Sequence, residues 1–152
     1  MNDKEKEPVT IEMILDAVKS YSPKADLDLI RRAYELARKA HEGQTRVSGE
    51  AYIIHPLHVA QILTQLHLDD ATISAALLHD VVEDSDLTLD DLRRKGVDDE
   101  VLAALELLTH DKTTDYFEYV HRIAHSGNYT AIHTKINDLK HNLDRGRKSN
   151  KK

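Results

Sequence analysis

The sequence predicts an all-α domain, a bundle of about seven or eight helices, and three features predict it. Apolar residues recur at three- and four-residue intervals over most of the stretch from Thr10 to Asp144. Cap and stop residues punctuate that periodicity at helix-length spacing, and few local signals favour strands. The apolar residues, 40% of a 152-residue chain, are mostly Leu, Ala, Ile and Val with one Phe and no Trp, so aliphatic packing of helix on helix must form the core.

Thr10 is placed to cap a first short helix that ends near Ser20, and Ser22-Pro23 marks the following turn. A longer helix is expected over about Asp26 to Glu42, with Leu29, Ala33, Leu36, Ala37 and Ala40 on one face and Gly43 as its stop. Residues 44–54 read as the one non-helical insert of note, a small hairpin turning at Ser48-Gly49. His55-Pro56 opens a helix through Leu66, where proline in the first turn costs nothing. Asp70 is the expected cap of a helix running on through Asp84, and Thr88 with Asp91 forms a capping-box pattern for the next. Helices over Asp98–Leu108, Asp115–His125 and about Asn128–Asp144 complete the set, with Leu102, Leu105, Leu107 and Leu108 assigned to the core. Residues 1–9 read as a flexible tail, 10–144 as one domain, and 145–152 as a basic, frayed tail.

Composition narrows the function. A net charge of −6, from 27 acidic against 21 basic residues, argues against nucleic acid as a partner, which requires a basic face. No apolar run approaches the ~18 residues that would span a membrane, and the first seven residues lack the apolar segment of a secretory signal. Cysteine is absent, which excludes disulfides and thiolate metal sites. The expectation is a cytoplasmic protein that binds a small molecule, with self-association left open.

The most informative stretch is His79-Asp80-Val81-Val82-Glu83-Asp84, which lies in an otherwise apolar helical run. At ~100° per residue, positions 79, 80, 83 and 84 fall within roughly 140° of one another, while Leu77, Leu78, Val81 and Val82 take the other side. Desolvating four titratable groups costs several kcal/mol unless something pairs with them, and a divalent cation is the simplest partner. His55, at a helix start, and Asp138, in the last helix, are the candidates to join His79 and Asp80. Two imidazoles and two carboxylates suit Mn²⁺, Fe²⁺, Mg²⁺ or Zn²⁺. By spacing alone, His79 and Asp80 can equally be a hydrogen-bonded core pair, and Asp138 can pair with Lys135 in a surface salt bridge. His41, His58, His67, His110, His121, His125 and His133 read as surface or helix-end residues, and His141 is not assigned as a ligand.

Three segments in order carry a family resemblance. They are His41-Glu-Gly-Gln-Thr-Arg-Val-Ser-Gly-Glu-Ala-Tyr-Ile-Ile-His-Pro56, Ala75-Ala-Leu-Leu-His-Asp-Val-Val-Glu-Asp84 and Lys135-Ile-Asn-Asp-Leu-Lys-His-Asn-Leu-Asp144. Together they resemble the HD-domain phosphohydrolases, and within them the hydrolase domain of RelA/SpoT homologues and the small alarmone hydrolases. The resemblance implies an all-α HD-domain helical bundle that removes the 3′-pyrophosphate of ppGpp with one Mn²⁺. Position by position it implies His55, His79, Asp80 and Asp138 as metal ligands. Glu83 and Asp84 match the acidic pair at the attacking water, a role that suits their three- and four-residue offset from Asp80. Arg46 and Asn142 match substrate contacts, and Lys135 is a further candidate to meet phosphate. Two departures stand out: Val47 follows the loop arginine where Lys or Ser is usual, and Asn137-Asp-Leu-Lys-His-Asn142 replaces Ala-Asp-Arg-Leu-His-Asn. The second departure resembles stand-alone HD proteins. Alternatives to a ppGpp hydrolase are an HD nucleotidase or phosphomonoesterase acting on another nucleotide, a nucleotide-sensing module without catalysis, and a structural helical adaptor.

Overall fold

The computed structural model of the chain describes residues 9–47 and 49–149, with side chains as far as Leu143. Its helical segments among the described residues are α1 (Ile11–Tyr21), α2 (Leu27–Ala40), α3 (Ile54–Gln65), α4 (Asp70–Leu78), α5 (Val81–Asp84), α6 (Leu89–Arg94), α7 (Asp99–Leu108), α8 (Tyr116–Ala124) and α9 (Tyr129–Ser149). Each expected helix is present, one of them in two pieces, and the fold is all-α. The backbone of α9 continues through Ser149, into the segment expected to be a frayed tail. Residues 1–8 and 150–152 of the expected tails, and Ser48 of the expected turn, lie outside the described residues. No helix among the described residues is long and apolar enough to cross a membrane.

Local chemistry starts these helices. Thr10 Oγ1 accepts from the Met13 N–H at 3.2 Å, and Asp26 Oδ1 accepts from the Leu29 N–H at 3.0 Å. Thr88 and Asp91 form the expected capping box, each side chain accepting from the other's backbone N–H. At α4 the expectation needs correction. Asp69, not Asp70, is the cap, accepting from the Thr72 N–H at 3.0 Å. Asp70 is the first helical residue, and its Oδ2 accepts from the Asp26 N–H at 2.7 Å. Either aspartate has the chemistry of a cap; the bond across to the start of α2 decides which one serves.

The centre of the domain is α4. Ala71 to Leu78 are all buried, and the helix packs against α2, α3, α7 and α9. It has no solvated face, so its small residues Ala71, Ser74, Ala75 and Ala76 allow neighbouring helices to approach on every side. Around it, Leu29, Ala33 and Ala37 of α2 are buried, while Leu36 and Ala40 are half-buried. Leu102, Leu105 and Leu108 of α7 enter the core, with Leu107 at its edge. The 44–53 segment forms an isolated antiparallel bridge, Thr45 to Ala51, closed by an Arg46 N–H bond to the Glu50 carbonyl at 2.9 Å. Gly49 takes the left-handed conformation there, φ +92°, which explains glycine at this turn.

The single helix expected through Asp84 is interrupted at His79 and Asp80, which separate α4 from α5. The physical reason lies in the His79 ring, whose Nδ1 donates to the Ala76 carbonyl at 2.6 Å. A side-chain donor thus serves a carbonyl that a continuing helix would give to its own backbone. Helical geometry resumes with the Asp84 N–H bond to the Asp80 carbonyl at 3.0 Å.

Leu77 is fully buried in α4. Leu77→Ala is expected to destabilise the domain by about 2–5 kcal/mol, measured by urea denaturation, because the surrounding helices cannot collapse into the space left.

Candidate metal centre

Helix α3 and the α4–α5 break converge on one carboxylate of α9. Asp138, on α9, places Oδ1 2.7 Å from Nε2 of His55 and 3.1 Å from Nε2 of His79. His55 stands in the first turn of α3, just before Pro56, with its backbone N–H bonded to the Tyr52 carbonyl at 3.1 Å. Asp80 Oδ2 lies 3.2 Å from the same His79 nitrogen. His55, His79 and Asp138 are buried and Asp80 is half-buried. The sequence-predicted quartet is therefore assembled from residues up to 83 positions apart.

The alternatives left open by spacing are decided in part. Asp138 does pair with Lys135, Nζ to Oδ2 at 3.6 Å, but not at the surface, since both side chains are largely covered. That contact uses the oxygen the imidazoles leave.

The electrostatics follow from burial and proximity. Burial pushes the Asp80 and Asp138 carboxyls up, but neighbouring imidazoles outweigh it: His79 holds Asp80 at about 2, and His55 and His79 hold Asp138 lower still. Burial works against charge on His79 too, yet Asp80 and Asp138 lift it well above 6.5. His55, for which burial dominates, is lowered. Protons shared between nitrogen and carboxylate thus hold the cluster together.

The donor set fits a divalent cation. His55, His79 and Asp80 each offer one ligand atom within 4.8 Å of the others, and Asp138 Oδ1 sits against both Nε2 atoms. Both rings turn the Nε2 edge inward and anchor the outer edge, His79 Nδ1 on the Ala76 carbonyl and His55 Nδ1 on the His141 ring. Inward lone pairs with anchored outer nitrogens are how metal-binding imidazoles are held. A cation here would replace the shared protons.

The other predicted residues surround this centre. Arg46 and Asn142 meet directly, Nη2 to Oδ1 at 2.7 Å, and Asn142 Nδ2 donates to Asp138 Oδ1 at 3.3 Å. Asp84 Oδ2 accepts from the Tyr52 hydroxyl at 3.1 Å, while Glu83 Oε2 accepts from the His110 backbone N–H. The acidic pair expected on one side of a helix is thus held by two different loops. Glu83 lines a cavity of about 90 Å³ with His79, Asp80, His110, Tyr116, Tyr119 and Lys135. Lys135 Nζ lies over the Tyr119 ring at 5.0 Å and the Tyr116 ring at 5.6 Å. Burial lowers its pKa, but Tyr119 and Asp138 raise it more, so the ammonium stays charged. A larger hollow of about 530 Å³, lined by His67, Asp69, Thr72 and Tyr129, contains none of the predicted donors, whereas the smaller one includes His79, Asp80, Glu83 and Lys135.

Several contributors escaped the sequence reading. Tyr52 donates to both Asp80 Oδ2 (2.9 Å) and Asp84 Oδ2, and burial beside those carboxylates raises its pKa so that it stays a neutral phenol. His41 was expected at a surface or helix end; it caps the end of α2 but is buried, with its ring 4.5 Å from Tyr52 and Nδ1 bonded to Gln44. Gln44 Nε2 in turn donates to the Asp84 carbonyl at 2.8 Å. All three lie inside the first motif, which was the available signal, but the groups that Tyr52 and Gln44 bond, on Asp80 and Asp84, lie 28 to 40 residues on.

Comparison with known proteins agrees with this geometry. A family model described as the HD domain matches residues 33–131. The chain belongs to the HD domain family. That match includes His55, His79 and Asp80 of this HD domain but stops before Asp138. Residues of the chain are 51% identical over 81 positions to guanosine-3′,5′-bis(diphosphate) 3′-pyrophosphohydrolase of Vibrio cholerae, covering 53% of the chain and 12% of that protein. They are 48% identical over 83 positions to the bifunctional (p)ppGpp synthase/hydrolase SpoT of Escherichia coli, covering 55% and 12%. A GTP pyrophosphokinase of Myxococcus xanthus is 51% identical over 75 positions, covering 49% and 10%. The chain thus matches only about one eighth of the length of these curated relatives.

The metal-free cluster makes a pH prediction. The lifted His79 contributes stability that is complete below 6.5 and lost as pH rises through its folded value; Asp80 contributes stability complete above 3.8 and lost as pH falls through about 2. In EDTA, the Tm advantage of wild type over Asp80→Asn is expected to be greatest between about pH 4 and 6.5 and to shrink on both sides, as read by thermal denaturation across pH.

Proposed function

We propose that this HD domain is a metal-dependent phosphohydrolase of a small nucleotide, with ppGpp the first candidate and GDP plus pyrophosphate its products. The observation that carries this reading is the convergence of two Nε2 nitrogens on Asp138 Oδ1 with Asp80 beside them. The printed activities of the Vibrio cholerae and Escherichia coli relatives supply the substrate.

In this reading His55, His79, Asp80 and Asp138 hold one divalent cation, with Mn²⁺ the first choice. The bound cation supplies charge neutralisation at the phosphoryl oxygens and lowers the pKa of the attacking water. Asp84, fixed by Tyr52, takes the proton of that water, and Glu83, fixed by the His110 N–H, orients it. Lys135 lies in the row on α9 that also carries Asp138 and Asn142, about 10 Å from Asn142 along the axis. The site therefore has a cation at each end, Lys135 at one and Arg46 at the other. A nucleotide spans it with a phosphoryl group in the small cavity at Lys135 and the nucleoside against Arg46 and Asn142.

The test is incubation with Mn²⁺ and ppGpp, with Asp80→Ala as control and products separated by chromatography. GDP and pyrophosphate that disappear in Asp80→Ala are expected. Orthophosphate from other nucleotides, with ppGpp untouched, would instead identify a nucleotidase. Nucleotide binding without metal-dependent turnover would identify a sensor. In the same assay Tyr52→Phe is expected to lower kcat/KM about 10- to 100-fold, because Asp84 loses the hydroxyl that holds it.

A further inference from the structure

His55 Nδ1 lies 2.8 Å from Nδ1 of His141, the ring centroids are 4.8 Å apart, and the planes are tilted by 39°. His141 follows Asp138 by three residues on α9, so the two share a helix face. Asp138 meets the inner edge of the His55 ring at 2.7 Å and His141 meets its outer edge. One helix therefore grips this imidazole from both sides.

We propose that His141 is a positioning residue that holds the ring of His55 in place for metal binding and accepts its Nδ1–H when a cation occupies the site. The inference rests on the metal-centre reading above. An imidazole that binds a cation through Nε2 must present its lone pair there, which puts its one proton on Nδ1. With a cation on Nε2, that Nδ1–H faces His141 Nδ1, which then serves as the acceptor with its own proton on Nε2. Two facing nitrogens share a single proton, and only this arrangement leaves His55 Nε2 free of hydrogen toward the donor centre. Without a cation the proton lies on His55 Nε2, which donates to Asp138 Oδ1, and His141 Nδ1 donates to His55 Nδ1 instead.

The partner is an unusual one. Metal-binding histidines commonly donate the outer N–H to a carboxylate or a carbonyl, which accept in any state. A neutral imidazole can donate or accept at Nδ1, so His141 stays bonded to His55 in either tautomer and becomes the acceptor when a cation takes His55 Nε2. His58 extends the arrangement, its ring 5.3 Å from that of His141. Neither His58 nor His141 belongs to the donor set, and their place behind His55 accounts for two of the ten histidines.

Asparagine puts a carbonyl oxygen close to where His141 Nδ1 stands, whereas phenylalanine keeps the ring volume and removes the acceptor. The experiment compares wild type, H141N, H141F and H141A by isothermal titration with Mn²⁺, alongside Tm in EDTA as a check on the fold. The expected result is Mn²⁺ affinity 10- to 100-fold weaker in H141F and H141A, and within about threefold of wild type in H141N. If H141F does not fold, H141A against H141N decides the same question. Wild-type Mn²⁺ affinity in a folded variant without the acceptor would overturn the proposal, as would equal losses in H141N and H141A. Absence of saturable Mn²⁺ uptake by wild type would overturn the metal-centre reading and this inference with it; loss confined to the acceptor-less variants supports both.

Discussion

A carboxylate buried between two imidazoles sets the terms for the rest of this domain. Asp138 Oδ1 has His55 Nε2 on one side and His79 Nε2 on the other, and taking such groups out of water costs several kcal/mol unless each finds a partner. The fold meets that cost with geometry. Helix α4 is interrupted so that His79 and Asp80 can turn inward, and His79 replaces the lost backbone pairing with its own bond to the Ala76 carbonyl. The first turn of α3 is bonded to the short hairpin before it, and it carries His55 to the same point.

A second tier of polar contacts ties the centre to the first motif. His41 packs its ring on Tyr52 and bonds Gln44; Gln44 reaches the Asp84 carbonyl; Tyr52 bonds Asp80 and Asp84. Gln44 and Tyr52 link the hairpin to α5 and to the α4–α5 break, and His41 braces both of them. Networks of this kind gain from low local dielectric when every member is satisfied. The price of the arrangement is local: α5 is a single turn whose acidic residues are held from outside the helix by Tyr52 and the His110 N–H.

Helix α9 does the remaining work. Lys135, Asp138, His141 and Asn142 lie along one side of it, and each meets a different part of the site: the tyrosine-lined cavity, the donor centre, the rear of His55 and the Arg46 side chain. A rigid helix spaces these contacts by its own rise, which sets Lys135 and Asn142 about 10 Å apart along the axis. This is the basis for reading the site as a place for an elongated anion with the reacting bond at its centre.

The sequence by itself determined the all-α class, the positions of most helices and the identity of the four residues that cluster at the centre, because periodicity, caps and three ordered motifs are local properties of a chain. Thr10, Thr88 and Asp91 cap where composition alone says they should. Tertiary contact decided what local chemistry leaves degenerate. Asp69 and Asp70 are equivalent as caps until Asp26 binds one of them. A continuous amphipathic helix is the natural reading of residues 70–84, since nothing in the sequence shows that the His79 ring takes a carbonyl one turn back. Histidines look alike along a chain, yet His41 supports Tyr52, His79 joins the donor set, and His141 stands behind His55. Their roles depend on which atoms face which neighbours across as many as 86 residues of sequence, and that information exists only once the helices are packed.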